Sequence, residues 1–496
     1  MSALEDESVG DPQTVSAPLD DVSGAPVGHE GKFLKGFAIS LWQNGGDDCD
    51  SNWTRFTGVK KRGLFGERST IADGAKDTFP GFWDRYEEDI RGAKELGSNC
   101  LRFSFEWAQI EPKRGEIDRT VVARYHSLLD CMKENGLVAV ATLHHFTHPG
   151  WFQDLGGFES DDSVPLFVNY SKFMFSEFGH RIRHWATFNE PTCYTFCSYM
   201  AGLHSPGKSF CFFMAGVVMK NMLKAHVVAY RAMKAMEGGK EAMIGLVHHH
   251  VRFAPYGENW KYVHVKFFAD WFTYWWGWEV VHTFMMTGKF TWSMPFFGKS
   301  IEYEYDHDGK PPLDFWGINY YTMGVISPTL QPVTNEGGIM TDMGYTIVPD
   351  GLYEAIKKSS ELGVPMYITE TGVADMGDSK RNIMIKGYTN EVIRAVKDGY
   401  DLRGFMYWTL VDNFEWNMGY KTRFGVYQWE PDGSVDRKLR QGGKLLQRIY
   451  EAWPENLEEM KRFAASADIP EFVDIVKNEW EGEPKSWLGW VHHLLL

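Results

Sequence analysis

A regular alternation of short apolar segments and helical patterns runs from residue 33 to residue 453 of this 496-residue chain. Apolar runs of this length are typical of buried parallel strands, and strands separated by helical periodicity predict βαβ units. Since no change in composition interrupts the alternation, we expect one α/β domain over residues 31–453, a single (β/α)8 TIM barrel with elaborated loops on the C-terminal face. The predicted strands are Phe33–Ser40, Leu101–Phe105, Val138–His144, His184–Asn189, Met243–His248, Phe315–Tyr320, Met366–Thr369 and Gly404–Trp408.

Helical patterns fill the intervals between these strands. Several of them stop at a glycine where a left-handed cap is needed, as at Gly97, Gly136 and Gly363. The predicted helices are Trp83–Leu96, Val121–Asn135, Pro165–Phe178, Val217–Met236, Tyr262–Met286, Leu352–Leu362, Ile383–Asp398 and Lys438–Trp453.

Residues 254–300 form a long connection that is crowded with aromatic side chains. A helix over Tyr262–Met286 would align four rings on one face, which we expect to pack on the barrel wall. Rings off that face are expected to reach a subunit interface or the mouth of the barrel, where they would contact a bulky apolar part of a ligand. The aligned rings are Phe268, Trp271, Phe272 and Trp275, and the others are Trp276, Trp278, Trp292 and Phe296.

The two ends of the chain differ in composition from the barrel. Residues 1–30 are acidic, rich in Ser, Pro and Gly, and lack the apolar core of a secretory signal, which predicts a disordered leader. Residues 454–496 end in WLGWVHHLLL, and we expect this extension to pack on the barrel or on a partner subunit of a homo-oligomer, with attachment to a membrane surface as the alternative.

Charge and cysteine usage argue against several classes of function. The net charge is −15 and no Lys/Arg-rich run is present, so a nucleic-acid partner is not expected. No apolar run approaches 18 residues, which predicts no transmembrane span and a cytoplasmic location. The six cysteines form no CxxC pair and are expected to be free thiols, although Cys193 and Cys197 follow the most informative motif closely.

Polar and aromatic residues gather where the predicted strands end, which is where barrel enzymes place their catalytic groups. Two carboxylates at strand ends and a third in the last loop, with one arginine, amides, a histidine, a tyrosine and indoles, would suit acid/base chemistry on a polyol, although other barrel reactions remain open. These residues are Gln43, Arg102, His145, Asn189, Glu190, Asn319, Tyr321, Glu370, Trp408, Glu415 and Trp416.

Some residues near these ends could instead be structural. Trp107 and Trp408 could be core residues, and Arg102 could pair with Glu106 in a structural ion pair. The run His248–His250 suggests a metal site, but in a strand its middle residue points away from the other two, which favours structural or ligand-lining roles.

The segments TFNEP (Thr187–Pro191) and ITETG (Ile368–Gly372) resemble the two signatures of glycoside hydrolase family 1, the β-glucosidase family. Further blocks in barrel order also resemble this family, among them FLKGFAISLWQ, LRFSFEWAQIEP, ATLHHFTHPGWF, DFWGINYYT and YWTLVDNFEWNMGYKTRFGVYQW. The resemblance extends from Phe33 to Trp453 and implies a retaining β-glycosidase with a TIM barrel and without metal or other cofactor.

The resemblance implies a role for each candidate residue. Glu370 would be the nucleophile, with Arg102 and Tyr321 beside it, and Glu190 the acid/base on a β-linked glycoside. The remaining residues would hold the sugar: Asn189 at its 2-hydroxyl, Trp408 beneath it, Asn319 on the acid/base side, and Gln43, His145, Glu415 and Trp416 at the other hydroxyls.

Departures from the family pattern leave these groups in place. Thr371 replaces the usual Asn, Phe146 a common Trp, and Gly45 a frequent Glu. Since Glu190 is a true acid and Glu415 would repel a 6-phosphate, unphosphorylated O-glucosides are expected, with galactosides or fucosides as further substrates. Two other functions stay open: a transglycosylase that uses an alcohol or lipid acceptor, and a non-catalytic sugar-binding protein, which would have lost a catalytic glutamate.

Overall fold

Eight parallel strands close into one barrel, as the sequence predicts. The computed structural model describes residues 30–45, 49–63, 66–71, 79–256, 263–293, 300–307, 309–329, 332–333 and 338–479. Each barrel strand pairs with its neighbours in chain order, and the first strand also pairs with the last. The barrel strands are β1 (Leu34–Ala38), β2 (Cys100–Ser104), β3 (Val138–His144), β4 (His184–Asn189), β5 (Met243–His249), β6 (Phe315–Asn319), β7 (Met366–Glu370) and β8 (Leu402–Trp408).

Helices follow the barrel strands and cover the outside of the barrel. The glycines that cap them are left-handed as predicted, with φ of 80° at Gly97, 69° at Gly136 and 68° at Gly363. The helices are α1 (Phe82–Glu95), α2 (Arg119–Glu134), α3 (Ser163–Phe178), α4 (Phe212–Lys234), α5 (Glu279–Thr287), α6 (Pro349–Ser359), α7 (Arg381–Lys397) and α8 (Gln441–Ala452).

Alternation along the strands divides the core into two layers. On β1, Leu34 and Ala38 are buried inside the barrel with Val140 and Met406. Phe37, between them, points outward and packs on Tyr450 of α8 with ring centroids 6.0 Å apart. The outer layer, between strands and helices, holds most of the buried rings and supports the strand ends on which polar groups lie.

The prediction of one helix over Tyr262–Met286 is wrong. The described part contains an α-helix at Val263–Phe272, a wider π-helical turn at Thr273–Gly277, and then α5. The extra residue of the π turn breaks the helical stripe, and Gly277 approaches Val251 so closely that a Cβ would lie 2.2 Å from its carbonyl oxygen.

The aromatic rings of this connection are distributed differently from the prediction. Trp275 and Trp276 are buried against Trp292, with ring centroids 4.6 and 5.2 Å from it. Phe268, expected on the barrel wall, is 36% exposed, and Trp278 is partly buried beside His250. Phe296 lies outside the described residues.

Shorter elements decorate the barrel. Short helices lie at Leu41–Gly45, Asn52–Thr57, Trp107–Ile110, Gly150–Asp154 and Pro191–Thr195. Antiparallel pairs join Lys60–Gly63 to Gly66–Ser69, Lys289–Trp292 to Ile301–Glu304, and Tyr427–Gln428 to Lys438–Leu439; Phe253–Pro255, Gly324–Ile326 and Pro332–Val333 form a small sheet.

The chain after α8 returns to the barrel surface. Helices Leu457–Ser466 and Phe472–Glu479 lie against α7, and Met460 is fully buried. The Phe33 amide donates to the Glu455 carbonyl at 2.6 Å, which connects this extension to β1. The predicted leader up to residue 29 and the segment after residue 479 lie outside the described residues.

By length and composition, α4 is apolar enough to cross a membrane. Most of this helix is buried inside the fold. A helix of the barrel wall that buries its apolar side chains against α3 and the barrel has the same length and apolar composition.

A buried ion pair stabilises the long loop after β8. Arg440, at the start of α8, contacts both carboxylate oxygens of Asp412 at 2.9 Å. The same carboxylate accepts the backbone N–H groups of Gly425 at 2.9 Å and Trp429 at 3.2 Å. These bonds close the loop, which carries further polar groups of the barrel mouth between its ends.

We expect Asp412→Ala to destabilise the protein by about 3–5 kcal/mol, because it leaves a buried guanidinium without its partner. The matched control is Asp401→Ala, which breaks an exposed ion pair with Arg403 and should cost only about 0–1 kcal/mol. Urea unfolding monitored by tryptophan fluorescence measures both changes. Equal destabilisation by the two substitutions would contradict a structural role for the buried pair.

Candidate active site

The polar residues singled out in the sequence converge at the carboxyl end of the barrel. Arg102 is in β2, Asn189 ends β4, Asn319 ends β6, Glu370 ends β7 and Trp408 ends β8. Gln43, His145, Glu190 and Tyr321 follow strands directly or within a few residues, and Glu415 and Trp416 are in the loop after β8. All are buried except Tyr321, which is partly exposed.

Glu370 is held by a cation and a phenol. Arg102 forms an ion pair with one oxygen of its carboxylate, and the Tyr321 hydroxyl donates to the other at 2.9 Å. Arg102 also donates to the Thr369 carbonyl at 3.2 Å. Arg102 therefore belongs to the site, while Glu106 accepts a hydrogen bond from Thr147 at 2.9 Å.

Glu190 has weaker donors around its carboxyl group. Asn319 donates its amide to one Glu190 oxygen at 2.6 Å, and the Cys193 thiol, 3.9 Å from the Cys197 sulfur, lies within 4.8 Å of a Glu190 oxygen. The backbone of Glu190 is left-handed, with φ of 46°, an uncommon conformation for a residue other than glycine. Strained residues of this kind concentrate at functional sites.

Asn189 joins the two carboxyl environments. Its side-chain oxygen accepts from Arg102 at 2.7 Å and from Asn319 at 3.1 Å, which orients its amide. Its nitrogen lies 3.3 Å from Nε2 of His145. Thr369 in turn donates to the Asn319 oxygen at 2.7 Å, so that each member of the network has a defined orientation.

Glu415 and two indoles form the opposite wall of the pocket. Glu415 accepts hydrogen bonds from Trp408 and from Gln43, the latter at 3.4 Å. The His145 ring stacks on Trp408 and Trp416 with centroids 5.8 and 6.0 Å apart. The buried Oε1 of Gln43 has no hydrogen-bond partner among the described residues, which leaves it available to a ligand.

Three buried carboxyl groups interact in this pocket. Burial raises the pKa of Glu370 to about 7, Arg102 opposes this shift and Glu190 adds to it. Burial also raises the pKa of Glu190, and it raises the pKa of Glu415 to about 8 with help from the other two carboxylates. The cation beside Glu370 therefore offsets only part of the desolvation, and the pocket holds at least one proton near neutral pH.

Two further residues face the pocket although the sequence patterns assign them no role in chemistry. Cys193 lies one helical turn after Glu190, and the ring of His249 is 6.2 Å from that of Tyr321. The predicted alternation of side-chain direction along the histidine run is confirmed, because His248 and His250 form hydrogen bonds with groups outside the pocket. In the sequence, Cys193 could have been identified by its position one helical turn after Glu190, and His249 by the two-residue period of its strand.

Packing assigns Trp107 to the core of the barrel wall. Its ring stacks on Tyr170 at 4.5 Å, and its indole N–H donates to Glu111.

Two of the departures from the family pattern are also packed inside the protein. Phe146 is buried 5.2 Å from the Trp416 ring, and Thr371 is fully buried.

Comparison with known proteins gives a consistent assignment. The family described as Glycosyl hydrolase family 1 matches residues 40–453. The 1,4-beta-D-glucan glucohydrolase of Thermotoga neapolitana is 29% identical over 365 residues, covering 69% of this chain and 84% of that protein. Avenacosidase 2 of Avena sativa is 30% identical over 479 residues, covering 84% and 79%.

Solved structures share the fold. A beta-glucosidase from Thermotoga maritima in complex with deoxynojirimycin superposes with a TM-score of 0.73 at 25% identity, covering 84% of this chain and 97% of that one. A beta-glycosidase from Pyrococcus horikoshii gives a TM-score of 0.71 at 25% identity, covering 91% and 97%.

Proposed function

The chain belongs to glycosyl hydrolase family 1 and is an O-glycoside hydrolase, and from this premise we propose that it is a retaining β-glycosidase acting on terminal, unphosphorylated β-D-glucosides. One observation carries the proposal, the unequal surroundings of two neighbouring carboxyl groups. Glu370 contacts a cation and a phenol, whereas Glu190 accepts a hydrogen bond from the neutral amide of Asn319. Unequal environments assign different protonation states to paired carboxyl groups.

Glu370 is the proposed nucleophile. Arg102 and Tyr321 stabilise its charged form, whereas Glu190 has no cation in direct contact among the described residues and burial favours its neutral acid. In the first step a Glu370 oxygen bonds to the anomeric carbon while the bond to the leaving oxygen breaks. Glu190 donates its proton to that oxygen, and the products are a glycosyl ester on Glu370 and a free alcohol.

The second step reverses the role of Glu190. Its carboxylate accepts a proton from water as the water oxygen bonds to the anomeric carbon and the ester bond to Glu370 breaks. Both glutamates return to their starting states. Two displacements at one carbon retain the β configuration.

Asn189 is the proposed ligand of the sugar 2-hydroxyl. Its orientation is set by Arg102 and Asn319, each of which also contacts one of the two glutamates. A contact at the 2-hydroxyl strengthens in the transition state, so a fixed amide contributes to rate as well as binding.

The opposite wall supports the substrate class. Glu415 and Gln43 offer hydrogen-bonding atoms suited to several ring hydroxyls, and the Trp408 indole forms an apolar floor. Burial and the two neighbouring carboxylates raise the pKa of Glu415, so this environment disfavours added negative charge, which favours an unphosphorylated sugar over a sugar phosphate. Galactosides and fucosides retain most of these hydroxyls and are proposed as secondary substrates.

We expect Glu370→Ala to abolish hydrolysis of aryl β-glucosides, and added azide or formate to restore turnover by replacing the nucleophile. Glu190→Ala should lower kcat/KM for alkyl glucosides by about 10²–10⁴-fold, but much less for activated aryl glucosides, which leave without a proton. Glu177→Ala, on an outer helix, is the matched control. Near wild-type activity of Glu370→Ala would show that the nucleophile lies elsewhere.

The first-formed sugar should be the β anomer. Proton NMR spectra recorded early in hydrolysis distinguish the two anomers before mutarotation mixes them. An initial α anomer would indicate a single displacement by water and exclude the ester on Glu370.

Tyr321→Phe should shift the acidic limb of kcat/KM to higher pH. The Tyr321 hydrogen bond lowers the pKa of Glu370, so its removal raises that pKa, and catalysis requires the ionised group. A hydrogen bond to a charge contributes about 1.5–3 kcal/mol, which corresponds to a shift of about one to two pH units. Tyr320→Phe is the control, since Tyr320 donates to the Val348 carbonyl. An unshifted limb in Tyr321→Phe, or an equal shift in both variants, would contradict the assignment.

A further inference from the structure

Three side chains of different ligand chemistry meet at the acid/base end of the pocket. The carboxylate of Glu190, the thiol of Cys193 and the imidazole of His249 have ligand atoms that all lie within 4.8 Å of one another. Neither the thiol nor the imidazole has a step in the proposed hydrolysis. The proposed hydrolysis therefore does not explain why the thiol and the imidazole lie so close to Glu190.

The fold brings these groups together through one strand pair. Asn189, the last residue of β4, is in register with Val247 of β5, so the ends of the two strands lie side by side. Glu190 follows β4 and Cys193 lies one turn later in the short helix Pro191–Thr195. His249 is the last residue of β5.

His249 is the imidazole of its run that faces the carboxyl groups. His248 lies 3.3 Å from the Trp278 carbonyl oxygen, and His250 lies 3.1 Å from the Ser359 hydroxyl, both away from the pocket. The His249 ring offers a nitrogen that lies within 4.8 Å of the ligand atoms of Glu190 and Cys193. A neutral imidazole is the form that binds metals.

The ligand set matches one class of cation. Zn²⁺ is borderline in softness and accepts thiolate sulfur, imidazole nitrogen and carboxylate oxygen, often with three protein ligands and one open position. We propose that Glu190, Cys193 and His249 bind a thiophilic divalent cation of the Zn²⁺ class, which reversibly inhibits the enzyme by occupying the acid/base carboxylate.

Charge and protons balance in this complex. The cation displaces the proton of the Cys193 thiol and that of the Glu190 carboxyl, and both protons pass to solvent. Two anionic ligands and one neutral ligand then neutralise the divalent charge. A coordinated Glu190 neither donates a proton to the leaving oxygen nor accepts one from water. This inhibition rests on the proposed role of Glu190, whereas the binding of the cation does not.

Binding is tested on the full chain without any activity measurement. Zn²⁺ affinity is measured by competition with a chromophoric chelator, and Co²⁺ is used as a probe because a cobalt–thiolate bond gives a charge-transfer absorption. The variants are Cys193→Ser and His249→Asn. Cys131→Ser, which removes a half-buried thiol from α2, is the matched control.

We expect wild type and Cys131→Ser to bind Zn²⁺ equally and to show the cobalt–thiolate band. Loss of an outer-shell partner already weakens metal binding by about 10–100-fold, so loss of a direct ligand should cost at least about tenfold in either variant. The band should disappear in Cys193→Ser. Thermal melts show whether each variant is folded. If Cys193→Ser does not fold, His249→Asn still tests the site. Unchanged affinity in folded Cys193→Ser or His249→Asn would overturn the site.

Inhibition is measured separately with an aryl β-glucoside. Zn²⁺ should inhibit wild type and Cys131→Ser, a chelator should restore their activity, and Cys193→Ser should need at least about ten times more Zn²⁺ for half inhibition. Full turnover of wild type when the site is saturated would overturn the inhibition while the binding stands, and it would point to an acid/base residue other than Glu190. Inhibition that is equal in wild type and Cys193→Ser would overturn the assignment of inhibition to this site.

Discussion

The contact on which the site depends is the buried ion pair between Arg102 and Glu370. Its guanidinium lies inside the barrel, where it contacts β7 through Glu370 and Thr369, β4 through Asn189 and β3 through Thr142. A rigid fork of donors suits this position, because Arg102 donates to four acceptors from three separate nitrogens, whereas a lysine ammonium has three donors on one nitrogen. Arg102 thus sets both the charge of the pocket and the orientation of its amides.

Burying several carboxyl groups beside one cation costs free energy, and the same burial raises the pKa values of these groups. With Glu370, Glu190 and Glu415 all desolvated, the one guanidinium cannot compensate every charge, so protons remain in the pocket near neutral pH. The barrel tolerates this arrangement because most of its buried rings pack in the outer layer between strands and helices, and this packing offsets the cost of the buried carboxyl groups. Outward-pointing side chains of the strands therefore contribute most of the packing, and the residues at their carboxyl ends form the polar site.

Much of the fold was predictable because its elements are locally encoded. All eight barrel strands and the glycine caps at Gly97, Gly136 and Gly363 follow from apolar periodicity and from the conformational freedom of glycine. The connection after β5 was not predictable in the same way. Its aromatic residues have helical spacing, but the π turn at Thr273–Gly277 interrupts the helix and ends where Gly277 packs closely on Val251, a contact between residues distant in sequence.

The sequence by itself determined the barrel, the family and the identities of the candidate residues, because strand ends and the two glutamate motifs are properties of short segments. Only the tertiary structure decided which partners these residues have. It paired Arg102 with Glu370, assigned Trp107 to the core, and brought a ring nitrogen of His249 to within 4.8 Å of side-chain atoms of Glu190 and Cys193. The register between neighbouring strands and the depth of burial set these distances and pKa values, and both arise only when the barrel closes.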